Sequence, residues 1–378
     1  MTSTAKPRSL YLHVPFCKNI CFYCDFTHTI YENNLVDDWL TALETELALK
    51  KCSKDLDTIY IGGGTPSCLS LNQLDKLLTL LDRYTSRVKE YTLEVNPETI
   101  DIDKVKVIKK HGINRISMGF QTDNKELLKN INRHHTYEDV KNSVQLFKDH
   151  GIDNISLDIL YSLPGQTMNM LKQTVEKAIA LDAFHLSLYS LQIEENTVFG
   201  KQGVKPLDEE TETDMYEWIC KELPKHGYSQ YEISNFSKPG FASLHNLAYW
   251  NYQDFYGIST GASGKEDNVR YDNTKNIIEY LKNPMAQERT VLSTLDQEYE
   301  MIMMGLRLKQ GLKKSHFYRT FGVQIEGVFG KKINKCQDMG LLIIDDEYLA
   351  CTKKGYEILN SVLVELMPEE LLANELTI

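Results

Sequence analysis

Short apolar runs and amphipathic stretches alternate over the first two-thirds of the chain. The apolar runs lack strict two-residue alternation, which is typical of strands that are covered on both faces. The stretches between them carry apolar residues at helical spacing, as at Leu35, Trp39, Leu43 and Leu47. Six strands are predicted in this way, at residues 10–14, 58–61, 91–95, 116–118, 155–160 and 185–191. Repeated strand–helix units predict a parallel sheet, and six units, against the eight of a complete barrel, favour a partial barrel.

The pattern changes after about residue 231. Aromatic residues, Ser, Asn and Gly are frequent there, and helical periodicity is weak before Asn276. From Thr294 onward helices are predicted again, followed by a hairpin over 341–351 and a last helix over 354–364. This order of elements is similar to a winged-helix module. We therefore predict three units: a barrel over 1–236, a linking segment over 237–290 and a smaller, mainly helical, winged-helix-like domain over 291–378.

Composition and charge exclude several classes of protein. The net charge of -11 argues against a general affinity for nucleic acid or for an anionic membrane, since both need a basic surface. No apolar run approaches the roughly 18 residues that span a bilayer, and the first residues show no secretory signal pattern. We expect a cytoplasmic protein, whose reducing surroundings make a disulfide framework unexpected for its eight cysteines.

Three cysteines near the start of the chain, Cys17, Cys21 and Cys24, form a C-x3-C-x2-C motif directly after the first predicted strand. Three thiolates at this spacing can hold three irons of a cubane iron–sulfur cluster and leave the fourth iron without a protein ligand. A small molecule with an amine and a carboxylate can chelate that open iron. A structural zinc site with His13 or His28 as its fourth ligand is an alternative, and so are free cysteines that only pack beside the strand.

Other candidate residues lie at or near the ends of the predicted strands, where parallel α/β proteins place their working residues. The glycines of the run 62–66 let the backbone approach a ligand closely, and a plain tight turn is the alternative. Glu94 and Asp158 lie within predicted buried strands, where a carboxylate is costly unless it is paired or hydrogen-bonded. A ligand with hydroxyl groups and a positive charge would supply partners, and Arg133 suits its carboxylate. An internal ion-pair set of Glu94, Asp158 and Arg133 is the alternative.

Together these motifs resemble one branch of the radical SAM superfamily, which contains the HemW-type haem chaperones and the oxygen-independent coproporphyrinogen III oxidases. The resemblance rests on residues 11–17, 24–26, 62–67, 94–97, 114–121, 163–166, 231–236 and 245–250. It implies an α/β fold, a partial (βα)6 TIM-type radical SAM barrel, and a [4Fe-4S] cluster held by Cys17, Cys21 and Cys24. It also implies one or two sites for S-adenosyl-L-methionine (SAM), lined by Tyr11, Tyr23, Gly63, Gly64, Thr65, Glu94, Gln121, Arg133 and Asp158.

Within this branch, two departures from the oxidases favour the chaperones. The oxidases have a long N-terminal arm, and they have a further cysteine where this chain has Phe26. The H-N-x-x-Y-W stretch of HemW-like proteins is associated with haem binding, which makes His245 the candidate haem ligand. Tyr249 and Trp250 would then offer a flat apolar surface to the macrocycle. The alternative is that His245 is a loop histidine with satisfied hydrogen bonds and that Trp250 belongs to the core.

The resemblance implies a haem chaperone that binds the cluster, SAM and haem and delivers haem to an acceptor apo-protein of the respiratory chain. An electron donor is needed if SAM is cleaved, and any membrane contact is expected to be peripheral, through the partner. The alternatives are a coproporphyrinogen III oxidase, which would decarboxylate its substrate to protoporphyrinogen IX, and radical SAM chemistry on another substrate. Catalytic residues are not assigned. Ser259 replaces a glycine that relatives usually have, which predicts an altered turn beside the ligand.

Overall fold

The computed structural model describes residues 6–371, and its centre is one mixed sheet of 12 strands. The strands are, in chain order, β1 Ser9–Val14, β2 Phe16–Cys17, β3 Thr29–Ile30, β4 Thr58–Gly63, β5 Glu90–Val95, β6 Arg115–Gln121, β7 Ile155–Tyr161, β8 His185–Ser190, β9 Ser229–Gln230, β10 Asn235–Ser237, β11 Phe255–Ile258, β12 Ser263–Glu266, β13 Val269–Asn273, β14 Gln287–Val291, β15 Leu312–Lys313, β16 Leu342–Ile344 and β17 Tyr348–Cys351.

Helices follow most strands of the first two-thirds and dominate the last third. They are α1 Asn33–Lys50, α2 Leu71–Leu81, α3 Ile102–Lys110, α4 Lys125–Asn130, α5 Tyr137–Asp149, α6 Met168–Ala180, α7 Val198–Lys201, α8 Glu209–Glu222, α9 Leu244–Trp250, α10 Ile277–Lys282, α11 Thr294–Gly305, α12 Lys314–Phe321, α13 Ile325–Asp338, α14 Lys353–Glu357 and α15 Leu359–Leu366. Many begin at a side chain that accepts a hydrogen bond from the first turn, as Thr136 does from Asp139. Within residues 6–371, no helix combines the length and the apolar character needed to cross a bilayer.

The six predicted strands are β1 and β4–β8, and they are parallel neighbours in the sheet. The strand order is β14-β13-β12-β11-β1-β4-β5-β6-β7-β8-β10-β9, so the sheet ends at β14 and β9 and does not close on itself. Apolar residues of these strands pack under the helices, with Leu12, Ile61 and Leu93 fully buried. The prediction of an α/β fold with a partial barrel is confirmed.

The segment after residue 237 adds more regular structure than its sequence pattern indicated. β11 lies parallel to β1 on the side opposite β4, and β12–β14 continue the sheet in antiparallel order. The segment also contains α9, which is too short to produce a clear helical periodicity. α9 is stabilised from outside its own sequence, because the Glu90 carboxylate on β5 accepts hydrogen bonds from the backbone N–H groups of Leu244 and His245.

The last third of the described chain forms a separate hydrophobic core. Helices α11–α15 pack with the small sheet β15-β17-β16, and Phe317, Phe329 and Leu349 lie in this core. The hairpin predicted over 341–351 is present as β16 and β17. The single last helix predicted over 354–364 is wrong, since it is divided into α14 and α15. Ile358 lies between them outside helical geometry, with φ -120° and ψ 37°. The unit boundaries predicted from the sequence stay predictions.

Candidate cofactor site

The three cysteines of the C-x3-C-x2-C motif line one cavity of about 410 Å³ at the carboxyl end of the parallel strands; we call it the cluster cavity. Burial raises the pKa of the Cys17 thiol to about 11 and that of Cys24 to about 12, and the neighbouring thiols raise both further. Two donors point at the sulfurs. Thr65 Oγ1 donates to Cys17 Sγ at 3.6 Å, and Arg133 Nη1 donates to Cys21 Sγ at 3.8 Å. Such donors favour the thiolate form that an iron–sulfur cluster requires.

The structure gives no support to a zinc site at these cysteines. A zinc ion needs four donors within about 2.3 Å of one centre, and among residues 6–371 no three His, Cys, Asp or Glu side chains are gathered in this way. His13 has both ring nitrogens engaged, with Tyr11 Oη at 2.9 Å and with the Thr27 carbonyl at 2.7 Å. His13 is therefore not free to act as the fourth ligand of a zinc ion.

Glycines at the end of β4 let the cysteine loop and β5 come close together. A Cβ atom on Gly62 would lie 2.7 Å from Glu94 Oε1, and one on Gly63 would lie 2.6 Å from the His13 ring. Gly63 has φ +109°, a backbone angle that side chains rarely allow. A Cβ on Gly64 would meet Cys17 Sγ at 3.0 Å. The turn is tight, as one alternative held, and Gly63, Gly64 and Thr65 also line the cluster cavity.

Two half-buried carboxylates, Glu94 and Asp158, line the cluster cavity. Burial raises the pKa of Glu94 to about 7, although Tyr60 Oη and the Gly63 N–H both donate to it, at 2.7 and 3.0 Å. Burial likewise raises the pKa of Asp158 to about 6, against the hydrogen bond from Ser117 Oγ at 2.9 Å. Because ionising these two carboxyl groups is costly in this cavity, a cationic or hydroxyl-bearing ligand would stabilise their charged forms.

Arg133 does not pair with these carboxylates. Its Nη2 donates to Asn96 Oδ1 at 3.0 Å and to the Gly119 carbonyl at 2.9 Å, while Nη1 reaches Cys21. The internal ion-pair set that the sequence left open is therefore absent from the described part of the chain. The guanidinium lies beside the cysteines, where it is placed to meet an anionic group bound next to them.

Most of the residues predicted from the sequence meet in this one cavity. Tyr23, Gln121 and the residues named above line it, whereas Tyr11 and His245 do not. Sequence reasoning missed several further lining residues. Tyr60 and Ser187 lie on predicted strands outside the motifs, and alternation along each strand could have placed them on the inner face. Further lining residues belong to the motifs but were given no role: Asn96, Arg115, Ser117 and Asn246. Ser243, just before the last of these motifs, also lines the cavity.

A second cavity of about 850 Å³ adjoins the first, and we call it the aromatic cavity. The two cavities meet at six residues that line both: Asp25, Phe26, Tyr60, Gly63, Glu94 and Asn246. The wall of the second cavity is rich in rings, contributed by Tyr11, Tyr60, Tyr249, Trp250, Phe255 and Tyr271. A cavity of this size and lining suits a large, flat, apolar ligand.

His245 lies in the wall of the aromatic cavity with both ring nitrogens engaged. Its Nδ1 hydrogen-bonds with Thr58 Oγ1 at 2.8 Å and its Nε2 with Tyr249 Oη at 2.7 Å. The ring is stacked on Tyr60 at 5.1 Å, and burial lowers the pKa of His245 to about 3. This arrangement matches the alternative of a satisfied histidine, although His245 lies in helix α9 and not in a loop. Trp250 lines the same cavity, and its buried Nε1 lacks a hydrogen-bond partner among the described residues.

Known proteins share the fold and the family domains of this chain. The chain matches the Radical SAM superfamily over residues 11–178 and the HemN C-terminal domain over residues 292–358. Its fold is similar to that of coproporphyrinogen III oxidase (HemN) from Escherichia coli, with a TM-score of 0.84 at 21% identity over 97% of this chain and 91% of that one. Fold and motif together define a radical SAM protein with a HemN-type C-terminal domain.

The sequence relatives narrow this class. The chain is 40% identical to heme chaperone HemW of Lactococcus lactis subsp. lactis (strain IL1403), over 97% of this chain and 99% of the relative. It is 36% identical to heme chaperone HemW of Bacillus subtilis (strain 168), over 94% and 98% of the two chains. With such identity over nearly the whole of each chain, the protein belongs to the HemW family.

Proposed function

We propose that this protein is a haem chaperone that holds a [4Fe-4S] cluster and SAM in the cluster cavity and haem in the aromatic cavity. One observation carries the proposal: a large ring-lined cavity opens directly beside the wall that carries the three cysteines, and the two share Tyr60, Gly63, Glu94 and Asn246. The names of its relatives, heme chaperone HemW, support the same function. The haem would be passed to an acceptor apo-protein.

In this proposal Cys17, Cys21 and Cys24 ligate three irons and leave the fourth open. When bound together, the cluster and SAM supply one-electron reductive chemistry, which would require an external electron donor. The residues of this chain bind and orient SAM. Arg133, next to Cys21, suits the carboxylate of SAM, and Glu94 suits its hydroxyl groups or its positive charge.

The remaining predicted SAM residues fit the same assignment by position. Tyr23, Gly63, Gly64, Thr65, Gln121 and Asp158 line the cluster cavity. Tyr11 is separated from it, because it lies on the aromatic side and its hydroxyl hydrogen-bonds with His13. We therefore assign Tyr11 an indirect part in SAM binding, in which it orients His13 beneath Gly63.

Haem would lie against the rings of the aromatic cavity. His245 can ligate the iron only if the hydrogen bond between its Nε2 and Tyr249 is broken, since Nδ1 is directed at Thr58. Breaking a neutral hydrogen bond of this kind costs about 1 kcal/mol, which a bond to iron can offset. Tyr249 would then be released to move with the macrocycle.

The first experiment is an anaerobic haem titration of the cluster-reconstituted protein, followed by its Soret absorbance. We expect a saturable shift at close to one haem per chain. Failure of the wild-type protein to bind haem would overturn the proposal and direct the same sample to a coproporphyrinogen decarboxylation assay. His245→Ala tests the ligand, with Tyr249→Phe as its partner variant. If His245 is the ligand, the alanine variant loses affinity and the phenylalanine variant, whose histidine is freed, keeps or gains it.

The cluster assignment has its own test. Cys21→Ala should remove the iron–sulfur absorbance after reconstitution, whereas Cys220→Ala, a cysteine on α8 outside both cavities, should retain it. A full [4Fe-4S] spectrum in the Cys21→Ala protein would contradict the assignment.

A further inference from the structure

Arg115 is a buried cation at the inner end of the cluster cavity, and among the described residues no carboxylate lies within salt-bridge distance of it. Asp158 on β7 is near enough for Arg115 to lower its pKa, against the larger effect of burial. It is the first residue of β6, its side chain lines the cavity, and the residue is 3% exposed. Nη1 donates to Asn154 Oδ1 at 3.0 Å, and this is the one hydrogen bond that the guanidinium makes with residues 6–371. The buried Nε has no hydrogen-bond partner in the described part of the chain. The motif 114–121 contains this residue, but none of the assignments above uses it.

Such a group is unfavourable unless something compensates it. Taking a charge out of water costs several kcal/mol, and an opposite charge or a full set of hydrogen bonds normally offsets that cost. Thr92 on β5 is in register with Arg115 in the sheet. Its buried hydroxyl also lacks a hydrogen-bond partner among the described residues. Arg115 lines the cluster cavity whereas Thr92 is buried behind it, so the unpartnered Nε of Arg115 indicates a place for an anionic group of a ligand.

This place lies far from the cysteines. Arg133 contacts Gly119, which follows Arg115 by four residues on β6, a distance of about 13 Å along a strand. A ligand whose carboxylate chelates the open iron cannot present the same carboxylate to Arg115. The anionic group at Arg115 must therefore belong to a different molecule, or to a different part of a molecule bound in the cavity.

A route to Arg115 exists from the aromatic cavity. Ser243 and Asn246, at the start of α9, line the cluster cavity together with Arg115, and Asn246 lines the aromatic cavity as well. The side-chain amide of Asn246 makes no hydrogen bond with the described residues, so it is free to turn or to contact a passing group. A short flexible arm carrying a carboxylate can pass this junction while a flat ring system stays outside.

On the basis of the haem site proposed above, we propose that Arg115 binds one propionate carboxylate of haem, which enters the cluster cavity past Asn246. A guanidinium presents a fork of N–H groups that matches a carboxylate. The barrel thus selects a tetrapyrrole that carries a free acidic arm.

The test compares haem with haem dimethyl ester, whose propionates carry no charge, by Soret titration. The wild-type protein should bind the free acid about 10- to 100-fold more tightly than the ester, as expected for a hydrogen bond to a charged group. Arg115→Gln should abolish this preference and leave the affinity for the ester unchanged. Arg115→Lys should keep part of it, and Arg83→Gln, at an exposed arginine, should keep all of it.

Each other result overturns the assignment in a distinguishable way. A full preference retained in Arg115→Gln would remove Arg115 from the haem site, and a fall in the affinity for the ester as well would show a purely structural role. If only SAM affinity falls, the carboxylate belongs to SAM. If the wild-type protein binds neither haem nor its ester, the proposed haem function itself fails. Thermal unfolding of the Arg115→Gln apo-protein checks that it folds, since glutamine keeps a donor for Asn154 and removes a buried charge that has no salt bridge among the described residues.

Discussion

Ser259 has a backbone conformation that usually favours glycine, with φ +80°. Its side chain explains why serine is present. The buried Oγ accepts a hydrogen bond from Trp39 Nε1 at 2.8 Å, and the Ser259 N–H donates to Glu46 at 2.8 Å. A left-handed backbone costs a non-glycine residue roughly 1–2 kcal/mol, which is comparable to the cost of leaving the Trp39 N–H unsatisfied. The Ser259 side chain is thus directed toward α1 and lines neither cavity, although Gly261 of the same turn lines the aromatic cavity.

Two substitutions separate these effects. Ser259→Ala should lower the free energy of unfolding by about 1–3 kcal/mol, because it loses the hydrogen bond and keeps the backbone strain. Ser259→Gly should be less destabilising, since glycine relieves the strain. Urea or thermal unfolding measures both. The account is wrong if the alanine variant proves more stable than the glycine variant.

At the scale of single elements, α9 depends on a capping group from another strand. The Glu90 carboxylate accepts hydrogen bonds from the N–H groups of Leu244 at 2.8 Å and His245 at 2.9 Å, and from Ser243 Oγ at 3.1 Å. A negative charge at a helix N-terminus is favourable, and the first N–H groups of a helix have no partner of their own. The H-N-x-x-Y-W helix is therefore held in place by β5.

Removing this charge should loosen the helix. Glu90→Gln should reduce the free energy of unfolding by about 2 kcal/mol. One carboxylate oxygen becomes an NH2 group, which cannot accept a hydrogen bond from the backbone N–H groups of α9. Amide hydrogen exchange at Leu244 and His245 should become faster, while exchange in α1 stays unchanged. Glu44→Gln, on the exposed face of α1, is the matched control and should be neutral. Unchanged exchange at the start of α9 would contradict the capping role.

The buried side chain of Glu46 connects helix α1 to Ser259 and Tyr280, which lie after β11 and in α10. Glu46 is 1% exposed and accepts hydrogen bonds from the Ser259 N–H at 2.8 Å and from Tyr280 Oη at 2.7 Å. Burial raises its pKa from 4.5 to about 7, although the hydrogen bond from Tyr280 lowers it. Between these two values the folded protein binds a proton that the unfolded chain does not bind.

The sign of the pH dependence follows directly. The stability contributed by protonated Glu46 is present below pH 4.5 and is lost as the pH rises to about 7, with a slope of up to about 1.4 kcal/mol per pH unit. Glu46→Gln removes this term. The difference in unfolding free energy between wild type and variant should therefore move against wild type from pH 5 to pH 8. A difference that does not vary with pH would exclude the raised pKa, and Glu44→Gln should show no such trend.

At the scale of the whole molecule, the described chain contains two large hydrophobic cores. One lies between the sheet and its helices and includes Phe147; the other belongs to α11–α15 and includes Phe317. The aromatic cavity lies between them, because Met304 and Glu300 of α11 line it together with barrel residues. The cluster cavity is lined by residues before position 247 only.

Because the two cores are separate, we expect substitutions in them to have different effects on haem binding and on cluster assembly. Phe317→Ala should destabilise the C-terminal unit by about 3–5 kcal/mol. It should weaken haem binding but leave iron–sulfur reconstitution intact, since the cysteine loop rests on the other core. Phe147→Ala, an equally buried residue of the barrel, should impair both. Calorimetry and cluster absorbance measure the outcome, and a single unfolding transition that both variants shift alike would show one cooperative unit instead.

The sequence by itself determined the repeated strand–helix units, the partial barrel and the grouping of Cys17, Cys21 and Cys24. These features depend on short-range spacing: periodicity shows which face of a strand or helix is buried, and three cysteines within one loop stay close in any fold. The gathering of functional residues at the ends of the strands was also predictable, because parallel strands carry their functional residues at one edge of the sheet.

Only the tertiary structure decided which partners the buried polar groups have. Arg133 contacts Asn96 and not Glu94, and His245 is satisfied by Thr58, a residue 187 positions earlier in the chain. The same holds for Arg115, whose unpartnered Nε appears only when β6 and the cavity are placed together. The physical reason is that a buried polar group is stabilised or left unsatisfied by neighbours in space, and β11 can join β1 across more than two hundred residues without any trace in local periodicity.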